Sequence, residues 1–163
     1  MRQQIQEALR LSKADYTEIR LEEKESTRVV FQGKDLENIG SVLDKGGIVR
    51  SLIKNKGWGV ATFNNLEDLA NKVEQAYQCA LVASSPEPIE LVEVEPVDTT
   101  IPANLQRDFR DVSLAEKKSL AERYNEAMRG YSEKIIDTYA AYSDSLSRVI
   151  LANSQGTYIE TER

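Results

Sequence analysis

Histidine is absent from all 163 residues. A His-based zinc site, a Ser-His-Asp triad and a Cys-His dyad therefore cannot be built from this chain alone. The commonest general base at neutral pH goes with them. Carboxylate chemistry, and sites completed by other residues, stay open. Cysteine is almost as scarce: Cys79 stands alone, can form no internal disulfide, and fits a reducing cytoplasm. No apolar run approaches the ~20 residues that span a bilayer, so no membrane partner is expected. The opening MRQQIQEALR has no apolar core after its arginine, so export is not expected either. A basic excess is also lacking. The net charge of −6 argues against a nucleic-acid partner, which normally meets a positive surface.

What is present suits a folded protein of one ordinary domain or two small lobes, since 40% of the residues are hydrophobic. Arg2 to Leu11 reads as a short helix with Ile5, Ala8 and Leu9 on one side. From Ala14 the period changes. Ile19 and Leu21 alternate with Glu18, Arg20 and Glu22, as in a half-buried strand. Val29 and Phe31 lead into a turn at Gln32-Gly33-Lys34. Leu36 to Leu43 is the next strand, Asp44-Lys45-Gly46-Gly47 the next turn, and Ile48 to Ile53 the strand after it. Asn55-Lys56-Gly57 turns into Trp58 to Phe63. Closely spaced strands with short turns imply an antiparallel meander.

Asn65 is placed to cap a helix, with Asp68 three residues on to accept amide hydrogen bonds. Leu66, Leu69, Ala70, Val73, Ala76, Tyr77, Ala80 and Leu81 form its apolar stripe, directed at the sheet, with Cys79 outside it. Ser84 to Asp111 then holds all four prolines, Pro86, Pro88, Pro96 and Pro102, which bar a continuous helix. It reads as an extended acidic connector whose Ile89, Leu91, Val92 and Val94 pack along the body, with a peptide-recruiting acidic tail as the alternative. The Ser113/Glu116 capping box opens a second helix, Leu114 to about Arg129, closed by Gly130. Leu114, Leu120, Ala121, Tyr124, Ala127 and Met128 are its expected buried face. Ile135 to Ala141 and Ser147 to Ala152 read as strands, and Asn153-Ser154-Gln155-Gly156 as a turn. Thr157 to Thr161 starts a strand that stops without a turn or cap. An unfinished edge of that kind points to a chain cut short.

The candidate sites are few. Gly57-Trp58-Gly59 with Thr62 superficially echoes a dinucleotide loop, but Val60 to Phe63 continues as a strand and the helix starts only near Leu66. A hairpin is the better reading, with Gly57 in the turn and Gly59 leaving room for Trp58 or a neighbouring segment. Glu22, Glu23 and Glu25, and Glu90, Glu93 and Glu95, are acidic clusters without an EF-hand pattern, which suits solvated strand edges. Cys79 has no visible base, with Glu74 and Gln75 upstream, and reads as an inert thiol. Tyr139, Tyr142 and Tyr158 with Arg148 could form an aromatic platform for nucleic acid, but without a basic stripe they read as strand-packing tyrosines. No residue of the chain is assigned a catalytic, cofactor-binding or metal-binding role.

Five stretches, in order, resemble the amino-terminal part of the TldD/PmbA family of zinc metallopeptidases, also called modulators of DNA gyrase. Ala14-Asp15-Tyr16-x-Glu18-Ile19-Arg20 with Glu22-Glu23 resembles the family's first strand. Asp44-Lys45-Gly46-Gly47-Ile48-Val49-Arg50 resembles its Gly-rich turn and next strand. Lys56-Gly57-Trp58-Gly59-Val60-Ala61 is similar to the strand before its helix. Asp111-Val112-Ser113-Leu114-x-Glu116-Lys117 resembles the start of its middle region, and Leu151-Ala152-Asn153-Ser154-x-Gly156 a later strand and turn. The resemblance implies a cytoplasmic protein whose complete form carries zinc at an H-E-x-x-x-H motif in a carboxy-terminal domain. It implies paired subunits, as a homo-oligomer or with another family member, that cleave extended peptides inside the assembly. No position here matches that motif, so no ligand carries over. The PmbA-like branch typically lacks the full motif, which would make even the complete protein a non-catalytic partner.

The expectation is therefore an α+β chain, mainly an antiparallel meander flanked by helices, forming the amino-terminal part of a larger protein. Its parts are an α+β lobe over residues 1–84, a Pro-rich acidic connector over 85–111, and the start of a middle region over 112–163. The expected role is a non-catalytic scaffold that shapes a peptide chamber and makes a subunit contact. The alternative is a non-enzymatic interaction module docking partners through a sheet edge.

Overall fold

A computed structural model describes residues Met1–Arg163. The chain is α+β, with one mixed six-stranded sheet. The strands are β1 (Tyr16–Gln32), β2 (Asp35–Ile53), β3 (Gly57–Phe63), β4 (Asp98–Ile101), β5 (Tyr139–Asn153) and β6 (Tyr158–Glu162). Their order across the sheet is β3-β2-β1-β5-β6-β4. The helices are α1 (Arg2–Arg10), α2 (Leu69–Val82) and α3 (Leu114–Gly130). Contacts divide the chain into two compact units. One holds residues 1–23, 45–103 and 148–163, the other residues 24–44 and 104–147.

In the first unit, α1 buries Ile5, Ala8 and Leu9, the three residues that its spacing aligns. They join Ile19, Leu21, Val49, Ala61, Phe63, Ile150, Ala152 and Tyr158 from the strands, and Leu69, Val73 and Ala76 from α2. The expected stripe of α2 is narrower than its apolar residues suggest: Ala70 is exposed, and Leu66, Tyr77 and Leu81 are half-buried. Asn65 does cap, but it caps a short 3-10 turn, Leu66–Asp68, accepting from Glu67 N. Asp68 accepts no capping amide; its carboxylate takes Asn71 Nδ2 at 2.5 Å instead.

Three strand boundaries differ from the sequence expectation. Asp44-Lys45-Gly46-Gly47 is not a turn but the middle of β2. Neither glycine has a positive φ, and Gly47 lies opposite Phe63 in β3. A Cβ at Gly47 would enter the Phe63 ring, so this glycine admits an aromatic side chain rather than a reversal of the chain. Ile135 to Thr138 is outside any strand, and β5 runs without a break through Asp144 and Ser147. The connector also contains β4, four residues paired in parallel with β6 from Asp98↔Tyr158 to Ile101↔Thr161.

That pairing overturns the unfinished carboxy-terminal edge. β6 is flanked by β4 on one side and by β5, antiparallel, on the other. The turn that precedes it is as expected: Asn153 Oδ1 accepts from Gln155 N and Thr157 N, both at 3.0 Å. Gly156 takes φ +100°. Nor does the connector pack along the body as expected. Ile89 is half-buried, its N–H donating to Lys54 O at 2.8 Å, but Val92 and Val94 are 83% and 65% exposed. Leu91 is exposed too. Prolines and alternating glutamates leave this stretch no regular element with which to bury them.

Candidate functional site

The second unit is organised by α3. Ser113 Oγ accepts from Glu116 N, and the Glu116 carboxylate accepts from Ser113 N in return, closing the capping box and fixing where the helix begins. The residues that α3 buries are Lys117, Ala121 and Asn125, four apart and so on one stripe. Of the expected face only Ala121 is buried; Leu120 is half-buried, and Leu114, Tyr124, Ala127 and Met128 are exposed. Gly130 ends the helix as expected, although the capping residue Tyr131 stays in the right-handed region.

The buried stripe is polar at both ends because each end meets a matching group. Lys117 Nζ lies 2.9 Å from Asp144 Oδ2 and 3.4 Å from Thr27 Oγ1, with the Phe109 ring 4.9 Å away. Tyr142 Oη donates to the same Asp144 oxygen at 2.5 Å. Burial, and then that bond to a carboxylate, push the phenol up to about 12. The other carboxylate oxygen, Asp144 Oδ1, is buried without a partner. At the far end, Asn125 Nδ2 donates to Gly33 O at 2.9 Å and Asn125 Oδ1 accepts from Thr138 Oγ1 at 2.8 Å. A helix held by these groups must turn its large apolar residues elsewhere.

Tyr124, Ala127 and Met128 of α3, with Tyr131, Ile135, Asp137, Thr138 and Tyr139, line an open groove of about 650 Å³. Tyr131 is 86% exposed. Aromatic and methionine side chains supply broad, adaptable contact area with few polar groups, a composition suited to apolar side chains of varied shape.

A second open surface belongs to β2. Its register with β3 begins at Gly47↔Phe63, so no strand lies beside the outer edge of Asp35–Gly46. Leu36, Ile39, Val42 and Leu43 are 39%, 41%, 55% and 71% exposed.

Of the other sequence candidates, Tyr139 lines the groove, and Gly57 and Gly59 shape the hairpin of β3. Gly57 carries φ +142° at the turn into β3. At Gly59 a Cβ would strike Ala76 O and Ala80 N of α2, so the neighbouring segment for which it leaves room is a helix backbone. Trp58 is half-buried, edge-on to Tyr16 at 6.0 Å and under the Arg50 guanidinium at 5.2 Å. Replacing Gly57 by valine should lower stability by roughly 1–3 kcal/mol, because the backbone is in a region that β-branched residues avoid. Melting curves with and without ATP or NAD check this: the midpoint should fall, and neither nucleotide should shift it. An unchanged midpoint, or a nucleotide shift lost in the variant, would restore the phosphate-loop reading.

The acidic clusters are dispersed. Glu22 pairs with Arg20. Glu23 pairs with Lys45 at 2.7 Å and with Arg148 at 3.3 Å, and the Lys45 ammonium chiefly draws its carboxyl below the usual range. Glu25 is exposed, as are Glu90, Glu93 and Glu95. No three His, Cys, Asp or Glu residues are grouped to hold a metal ion. Cys79 is an exposed free thiol. The tyrosines form no common platform. Tyr139 and Tyr142 project from opposite faces of β5, whereas Tyr158 is buried in the other unit with the Arg2 guanidinium 4.2 Å from its ring. Neither surface, the groove or the β2 edge, was legible as a site, because exposed apolar residues in a helix or strand read as core until packing is known.

Models of two consecutive family domains match the chain. Residues 17–80 match PmbA/TldA metallopeptidase domain 1, and residues 107–163 match the PmbA/TldA metallopeptidase central domain. A metalloprotease of Synechocystis sp. is 39% identical over 150 residues, covering 91% of this chain and 32% of its own length. A metalloprotease of Methanocaldococcus jannaschii is 30% identical over 156 residues, covering 93% and 34%. The chain thus spans about a third of the length of these relatives. Among solved structures, a candidate DNA gyrase modulator from Bacteroides thetaiotaomicron superposes with a TM-score of 0.79 at 16% identity, covering 99% of this chain and 38% of its own. TldE from Thermococcus kodakarensis gives 0.69 at 16% identity, covering 99% and 37%. At such identities the likeness is one of fold. No helix here is long and apolar enough to cross a membrane.

Proposed function

The chain belongs to the TldD/PmbA family of metallopeptidases, and on that premise we propose that it is the non-catalytic amino-terminal framework of a zinc-dependent peptidase. It shapes the chamber in which extended peptides are handled and supplies a subunit contact. The residues present do not fit zinc: there is no histidine, the one thiol is exposed, and no donors are grouped. A zinc site needs three or four converging ligands, so the hydrolytic step belongs to residues outside this sequence.

The observation that carries the reading is the open groove of α3. Its lining is mainly apolar and aromatic, with Asp137 and Thr138 the polar members, while Lys117 and Asn125 are buried. Such a wall suits extended peptides of varied sequence, because it demands apolar side chains without fixing hydrogen-bond partners. The alternative, an interaction module without enzymatic context, is favoured by the unpaired edge of β2, to which a partner could add a strand.

Fluorescence anisotropy with a labelled, unstructured, apolar-rich peptide tests the proposal. Saturable binding should weaken about tenfold in Tyr131→Asp, the loss of roughly 1.4 kcal/mol expected from one exposed aromatic contact. The isolated chain should release no cleaved peptide and retain no stoichiometric zinc after loading and desalting. Hydrolysis or bound zinc would overturn the non-catalytic assignment. Binding indifferent to Tyr131→Asp would remove the groove from it.

A further inference from the structure

We infer that the outer edge of β2, over Leu36–Gly46, pairs with the same edge of a second copy of this chain, antiparallel and centred on Ser41. This names the surface for the subunit contact proposed above and rests on that part of the reading only. The edge is free of proline, and its alternate peptide groups have no strand beside them because β3 begins at Gly47. A protected edge would be short, bulged or covered. This one exposes Ile39 and Leu43 on one face, with Leu36 and Val42 on the other.

The sequence of the edge decides the partner. A two-fold axis through an antiparallel pair keeps each face of the sheet on its own side, so only residues of like parity can stand opposite one another. Three central registers satisfy this. Centred on Gly40, Asp35 would face Lys45, but Leu36 would face Asp44 and Glu37 would face Leu43. Centred on Val42, Ile39 would face Lys45 and Gly40 would face Asp44. Centred on Ser41, Ile39 faces Leu43, Asn38 faces Asp44, Ser41 meets its own copy on the axis, and Glu37 faces Lys45, whose ammonium also holds Glu23 of its own chain. Each pair occurs twice. Apolar meets apolar, opposite charges meet, and an amide meets a carboxylate, which are the pairings that stabilise adjacent strands. Small Gly40 stands beside Val42, and a Cβ built at Gly40 meets no atom within 4 Å. The overlap ends at Gly46, where β3 takes over the edge. The other two central registers set a charged side chain opposite Leu36, Leu43 or Ile39, so a discrete weak dimer forms in the Ser41 register.

Sedimentation velocity on the full chain tests this, with hydrogen exchange across β2. The wild type should dimerise with concentration, and alternate amides of Leu36–Gly46 should gain protection that dilution removes. Ile39→Lys or Leu43→Glu should each weaken the dimer about tenfold or more. Both positions are exposed, so circular dichroism should be unchanged. The double substitution Ile39→Lys/Leu43→Glu sets opposite charges across the axis twice and should recover about tenfold over either single. A dimer indifferent to both single substitutions would overturn the edge while leaving the subunit contact. A strict monomer at submillimolar concentration would overturn both. Failure of the double variant to recover would overturn the register.

Discussion

Gly59→Ala should destabilise the first unit by about 3 kcal/mol or more, the upper range for overpacking, because the obstacle is backbone. The added Cβ would overlap Ala76 O and Ala80 N and lie 2.8 Å from the Cys79 carbonyl carbon. These atoms belong to the hydrogen-bonded turns of α2 and cannot rotate aside as a side chain could. To admit the methyl group, α2 must lift from β3. Val73, Ala76 and Ala80, all at most 1% exposed, would then lose contacts together. Urea unfolding followed by circular dichroism measures the loss. Gly40→Ala is the control, since that site is open, and its midpoint should barely move. A Gly59→Ala midpoint equal to the control would mean that the close approach of α2 to β3 is not there in solution.

Lys117→Met should cost about 3–5 kcal/mol, the range for removing one partner of a buried ion pair. Lys117 is 5% exposed and Asp144 11%, so the carboxylate left behind keeps only the Tyr142 hydroxyl and already has one oxygen without a partner. Asp144→Leu alone should be comparably damaging, stranding a buried ammonium with Thr27 and two aromatic rings. The double substitution Lys117→Met/Asp144→Leu should be far milder than the sum, because matched apolar groups replace a pair whose attraction was offset by its desolvation. A four-way cycle of unfolding free energies checks it. Additive losses would mean that the two charges are solvated separately and that α3 is not anchored through them.

That anchor explains the least legible part of the molecule. The apolar residues of α3 gave a plausible buried stripe, and only Ala121 belongs to it. Lysine and asparagine look like solvent residues in a sequence, and nothing local reveals that Asp144 and the Gly33 carbonyl await them. Hence Tyr124 and Met128 of the groove were expected in the core, and Tyr139 against a neighbouring strand. The glycines at 46 and 47 misled in a related way. Paired glycines after Asp-Lys fit a turn, and only the ring of Phe63 across the ladder shows why the chain stays extended there. The role of the Trp58 hairpin, by contrast, was readable from the strand that continues past Gly59.

The sequence by itself determined the elements whose signals are local. These are the α1 face of Ile5, Ala8 and Leu9, the turns at Gly33, Gly57 and Gly156, and the capping box of Ser113 and Glu116. It also excluded histidine chemistry, and its scattered motifs carried the family. The tertiary structure alone decided which strands are neighbours, that β4 reaches β6, and which apolar faces stay uncovered. The reason is physical. Caps, turns and periodicity are set by atoms a few residues apart, whereas strand order and the burial of Lys117 depend on partners as much as 90 residues away. A hydrophobic pattern says that a face must be covered, and only the packed chain shows what covers it.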